Sequence, residues 1–182
     1  MKIKRDFSTE KTSLLLFHFT LLPFFAFVLG CGNNGLGDYS SEKDRAESIV
    51  ATEALAESFQ EAFAAGFTAE EFDALLTQHV AEHPVIFGAA IAFVEPDSSG
   101  GSVSSCPYVD REEGKLKWVD LNTPEYDVPS QEWFYAPLRS RQAMWSEYEV
   151  YEKYPMYTYS IPIVIDDEVV AVVTSDLLAN GN

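Results

Sequence analysis

The sequence predicts an α+β fold, and three observations carry that reading. Helical periodicity is confined to residues 41–83, while β-branched and aromatic segments follow Pro84. The two textures are segregated instead of alternating, which separates α+β from parallel α/β architectures. The length left after an export-type leader fits one domain, expected over residues 41–182.

Residues 41–65 place Ile49, Val50, Ala54, Leu55, Phe59, Ala62 and Phe63 on one face of a long helix, stopped by Gly66. A second, shorter helix opens at Thr68, where Glu71 can complete a capping box and Phe67 can staple onto Phe72. Its buried stripe is Phe72, Leu75, Leu76, His79 and Val80, and His83-Pro84 ends it, because the residue before proline is pushed out of helical geometry. No second ligand stands at a metal spacing from His79, which reads as a histidine at the edge of a core face.

The run 85–94 is nearly continuous in apolar residues and suits a central strand. Strands are expected at 105–110 and 116–121, turning at Glu112-Glu113-Gly114, then at 145–151, 156–165 and 168–176, with a tight turn at Asp166-Asp167. The sheet therefore has about five strands. Pro124, Pro129 and Pro137 break periodicity, so 122–144 is expected as a long excursion carrying an aromatic cluster.

Lys2, Lys4, Arg5 and Lys11 precede an apolar run over 14–29 that is too short to span a bilayer comfortably and ends at Gly30-Cys31. Residues 1–30 thus read as an export signal. Residues 31–40, rich in Gly, Asn and Asp, read as a flexible tether. The chain carries 12 basic and 29 acidic side chains, and four of the basic ones lie in the leader. A nucleic-acid partner is excluded by that balance, since affinity for phosphate comes from Lys and Arg. Cys31 and Cys106 are the only cysteines, too few for a disulfide framework or a cysteine metal cluster. Cys106, beside Pro107 and Tyr108, reads as a small buried hydrophobe.

The aromatic segments Trp133-Phe134-Tyr135, Trp145-Ser146-Glu147-Tyr148 and Tyr157-Thr158-Tyr159 supply rigid walls with polar edges, the composition of a small-molecule cup. The same rings are equally suited to the core of a small sheet. Enzymatic chemistry is not expected. The histidines are His18, His79 and His83, no Gly-x-Ser-x-Gly turn exists, and no metal site or cofactor is implied.

Phe87-Gly88-Ala89-Ala90-Ile91-Ala92-Phe93, Pro107-Tyr108-Val109, Tyr126-Asp127, Glu132-Trp133-Phe134, Trp145-Ser146-Glu147-Tyr148 and Val172-Val173-Thr174-Ser175-Asp176, in that order, resemble the Cache domains, PAS-like extracytoplasmic sensors. The resemblance implies an antiparallel PAS-like sheet with a long helix packed along it and ligand held by the excursion. It implies a binding set of Tyr126, Gln131, Trp133, Phe134, Trp145, Tyr148, Tyr159 and Asp176, with Asp176 as anchor for an amine or other cation. Gln131 stands where the amino-acid-binding branch has an arginine that grips the ligand carboxylate, so this set lacks that charge. Val28-Leu29-Gly30-Cys31 similarly resembles a bacterial lipobox, implying lipidation of Cys31. Together these predict a lipid-anchored sensor domain on the periplasmic side of a membrane, the outer one in a Gram-negative host. It would bind a small polar or cationic ligand and present it to a membrane receptor or a second copy. The alternative is a protein-docking module with a degenerate pocket.

Overall fold

The computed structural model describes residues 41–95, 101–146, 149–151 and 153–179; the expected leader, the tether with Cys31, and Tyr148 lie outside these. Helix α1 (Glu42–Ala65) opens on a capping box in which Ser41 Oγ accepts from the Asp44 N–H at 3.1 Å and the Asp44 carboxylate accepts from the Ser41 N–H at 3.2 Å. Gly66, at φ 73°, ends it in the left-handed region that glycine adopts without strain. Helix α2 (Ala69–Glu82) begins with the Thr68 N–H on the Glu71 carboxylate at 2.8 Å, and Phe67 meets Phe72 edge-on at 6.2 Å as the staple predicts. No helix among the described residues is long and apolar enough to cross a membrane.

The strands are β1 (Gly88–Val94), β2 (Val103–Ser105), β3 (Pro107–Glu112), β4 (Lys115–Asp120), β5 (Met144–Trp145), β6 (Glu149–Tyr151), β7 (Tyr154–Ile165) and β8 (Glu168–Leu178). They form one antiparallel sheet in the order β4-β3-β1-β8-β7-β5, with β2 against β1 and β6 against β7. The five longer strands correspond to five of the six segments expected from sequence; the other strands are two or three residues long. Glu113 and Gly114, then Asp166 and Asp167, take positive φ at the two tight turns, the geometry that matches strand twist in short hairpins. The fold class is thus the α+β, PAS-like one expected.

The sheet separates two cores. On one face α1 and α2 bury Leu55, Phe59, Phe72, Leu76 and Val80 against Ala89, Ile91, Val109, Ile163 and Val173. On the other, Trp133, Phe134, Val128 and Leu121 cover Ala90, Ala92, Tyr108 and Val172. Alternation along each strand sends neighbouring residues to opposite cores.

Three sequence expectations need correction. The central strand starts at Gly88, three residues later than the apolar run, because the Ile86 N–H bonds to the His83 carbonyl in the turn that leaves α2. The expected strand 145–151 is divided between β5 and β6. The excursion is partly regular: a 3-10 turn at Val128–Ser130 leads into helix α3 (Glu132–Ser140), with Pro137 inside it. Proline there removes one bond, to the carbonyl four residues back, and the helix is held instead by burial of Trp133, Phe134 and Pro137.

Candidate ligand-binding site

The face of the sheet under α3 carries a small cavity of about 20 Å³, room for roughly one water. Its floor is Ala90 of β1 with Thr174 and Asp176 of β8, and Thr158 and Met156 of β7 stand beside them. Tyr108 of β3 and Leu121 close the other side, while Tyr126 and Trp133 come down from the excursion. The Trp133 indole N–H donates to the Tyr126 hydroxyl at 3.0 Å, and the Thr158 hydroxyl donates to Asp176 Oδ1 at 2.6 Å. Asp176 is 5% exposed, so its carboxylate lies in low-dielectric surroundings.

The expected set is therefore divided. Tyr126, Trp133 and Asp176 converge on the cavity. Gln131 caps α3, and its side-chain amide turns to the backbone, donating to the Tyr126 carbonyl at 2.7 Å and to the Asp127 carbonyl at 3.4 Å. It fixes the loop that presents Tyr126 but does not line the cavity. Phe134 is fully buried in the core beside the cavity, edge-on to Trp133 at 6.0 Å. Trp145 and Tyr159 stack on each other at 5.0 Å on the opposite, helical face, where Arg45 of α1 lies 5.7 Å from the Trp145 ring. They take no part in this cavity.

The register explains that displacement. Next to the hairpin turn, Ile165 pairs with Glu168 and Val164 with Val169, but beyond it Ile163 pairs with Ala171, leaving Val170 as an extra residue in β8. An unbroken ladder would have set Tyr159 opposite Thr174, on the face of Asp176. The bulge sets it opposite Ser175 and brings Thr158 opposite Asp176 instead. Thr158, Thr174 and Tyr108 are the hydroxyl-bearing lining residues that sequence reasoning missed, along with the apolar Ala90, Leu121 and Met156. Strand parity counted from Asp176 identifies Thr174, but only the register identifies the others.

Gly88 sits opposite Asp176 on β8 and opposite Asp110 on β3. The Tyr108 ring leans over it, so a Cβ there would come within 2.6 Å of Tyr108 Cζ and collide with the hydroxyl. Gly88→Ala is expected to destabilise by about 1–3 kcal/mol through overpacking, read by urea denaturation. Combining it with Tyr108→Leu should recover most of that loss; an unchanged single variant would show that the ring moves freely.

Around the site, Cys106 is fully buried, and burial, with Asp120 and Asp176 nearby, pushes its thiol up so that it stays protonated. A wider groove of about 390 Å³ lies between α2 and β4, bordered by Asp73, Phe93 and Trp118. Burial and the neighbouring Glu70 raise the Asp73 carboxyl. Among the described residues no group of three or more His, Cys, Asp or Glu is placed to hold a metal ion.

Residues 72–180 match the family model of the methyl-accepting chemotaxis protein-like first PDC sensor domain. No curated protein matches the chain. Among solved structures, the extracellular domain of a proposed histidine kinase, soHK1S-Z6, superimposes with a TM-score of 0.59 at 20% identity, over 77% of this chain and 57% of that one. The sensory domain of the Campylobacter jejuni chemoreceptor Tlp3 (CcmL) gives 0.58 at 14% identity, over 75% and 53%. Its form with isoleucine bound gives 0.56 at 14%, again over 75% and 53%. The chain thus spans just over half the length of these sensor domains, which are of the Cache and PDC type that the strand motifs resemble.

Proposed function

The chain belongs to the methyl-accepting chemotaxis protein-like first PDC sensor domain family, and from that premise we propose that it is an extracytoplasmic sensor-type domain that binds a small polar or cationic molecule between α3 and the sheet. The observation that carries this is the convergence of Asp176, Tyr126 and Trp133, from segments fifty residues apart, on one cavity. Asp176 is the charged anchor. Trp133 is the apolar wall, and the Tyr126 hydroxyl and Thr158 give direction. Among the described residues no Lys, Arg or His lines the cavity, and Gln131 donates to backbone carbonyls, so an amine suits the site better than an α-amino acid with its carboxylate. The Tlp3 domain, crystallised with isoleucine, shows this fold accommodating a small ligand in a relative.

The same proposal keeps residues 1–30 as the leader, Cys31 as the lipidated residue, 31–40 as tether and 41–182 as the sensor domain. The domain then hangs from the periplasmic side of a membrane, the outer one in a Gram-negative host, and presents ligand or signal to a receptor or a second copy. A cavity of 20 Å³ favours one competing reading, a docking module whose pocket has closed.

A thermal-shift panel of amines, amino acids, purines and short carboxylates separates the two, because a ligand of the native state raises the melting temperature by mass action. A saturable shift is expected with amines, and Asp176→Asn should weaken binding by at least tenfold, about 1.4 kcal/mol, at unchanged fold. No shift across the panel, with the protein folded, would leave protein docking.

A further inference from the structure

The groove between α2 and β4 is open to solvent and lies on the helical face of the sheet, across from the cup. Its volume of about 390 Å³ is that of a small-molecule site. Phe93 of β1 and Pro107 of β3 border it on the sheet, and Trp118 of β4 stands at its side. Trp118 is 40% exposed, yet its ring is held in place. The indole N–H donates to the Thr77 hydroxyl at 3.2 Å, and that hydroxyl donates to the Asp73 carbonyl at 2.9 Å. The polar edge of the indole is thereby engaged by α2, and what it offers the groove is a fixed π face.

Two carboxylates border the same groove from different elements, Asp73 on α2 and Asp120 on β4. Asp120 Oδ1 accepts the Cys106 N–H at 3.0 Å and the Asn122 N–H at 2.9 Å, which anchors the group, while Oδ2 takes no hydrogen bond among the described residues. The Asp73 carboxylate has no hydrogen bond or ion pair among the described residues, and Glu70 beside it adds a second negative charge. No Lys, Arg or His is among the described residues that line the groove.

We propose that this groove is a second binding site, separate from the cup, for an organic cation with an aromatic body: an arylalkylamine whose ring stacks on Trp118 and whose ammonium is drawn to Asp73 and Asp120. Ring and charge are both required. A short alkylamine leaves the indole face uncovered, and an aryl carboxylate of the same shape meets two like charges. The fixed indole and the anchored Asp120 need no rearrangement to receive such a ligand.

Isothermal titration of the purified full-length chain with 2-phenylethylamine, ethylamine and phenylacetate tests this directly. The expected result is binding of 2-phenylethylamine about tenfold tighter than ethylamine, with no heat from phenylacetate. Trp118→Ala and Asp73→Asn, both outside the fully buried core, should each weaken 2-phenylethylamine by about fivefold or more. The exposed pair Asp166→Asn and Asp167→Asn is the control for attraction of a cation to an acidic surface. An affinity that falls with that pair and not with Trp118→Ala overturns the proposal in favour of diffuse attraction. One that falls with Asp176→Asn and not with Trp118→Ala overturns it by placing the amine in the cup. Equal binding of the two amines, or binding of phenylacetate, also overturns it. If 2-phenylethylamine does not bind, the proposal falls and the groove is left to a partner protein, while the reading of the cup stands on its own panel.

Discussion

Lowering the pH from 7 to 4 is expected to remove about 3 kcal/mol of stability through His79 alone. Its imidazole is buried between α2 and the sheet, with Nε2 2.8 Å from the Ser175 hydroxyl and the ring 5.1 Å from His83. Burial first, and the His83 charge second, lower its pKa from 6.5 to about 3. The native state therefore keeps His79 neutral, while the unfolded chain takes up a proton below 6.5. Between those two values the unfolded state binds more protons, so stability rises with pH across the window and is lost as acid is added. Glu82 and His83 border the groove beside it. Urea denaturation at both pH values, on the wild type and on His79→Gln, isolates the effect, because glutamine can still bond Ser175 but does not titrate. The variant should lose most of the pH dependence between 6.5 and 4; equal slopes would show that the ring is hydrated in the native state.

That histidine illustrates what could be read in the sequence. The helical arm was legible because its signals are local: Ser41 with Asp44, Thr68 with Glu71, Gly66 between the helices, and Phe67 stapling Phe72. The β7–β8 hairpin was legible from Asp166-Asp167. His79 could be placed on the buried stripe, but its bond to Ser175 joins residues 96 apart and follows from the packing of α2 on the sheet.

Helix α3 was missed because three prolines read as breakers, although Trp133, Phe134, Pro137 and Leu138 do share the spacing of one helical face. The site was legible where residue identity mattered and obscure where register did. Asp176, Trp133 and Tyr126, which line one cavity, stand out through their order in a recognisable pattern. Tyr159, expected in the cup, lies on the helical face, because the extra residue Val170 in β8 reverses the parity of every pairing beyond it, and no composition rule announces a bulge. Tyr108 became visible only with the register of β1 and β3.

Replacing Phe72 by alanine should cost about 3–5 kcal/mol, the range for truncating a buried aromatic ring. Its ring is the junction of that core: Phe63 lies at 4.9 Å, Phe93 at 5.3 Å, Phe59 at 5.6 Å and Phe67 at 6.2 Å, so α1, the link to α2 and strand β1 all meet on it. Each ring pair adds about 0.5–1.5 kcal/mol beyond the buried area, and truncation forfeits several at once, which places the loss high in the range. The proposed binding cup lies across the sheet, under a separate cluster from the one that holds Phe72. Folded Phe72→Ala protein, held at low temperature, should therefore keep its ligand affinity within a few-fold. Trp133→Ala should lose stability and affinity together, because that indole is both core to the cup-side cluster and donor to Tyr126. Melting curves and titrations on the two variants distinguish the faces. An affinity loss in Phe72→Ala would mean that the helical face and the cup communicate through β8, where Ser175 meets His79 on one side and Asp176 lines the cavity on the other.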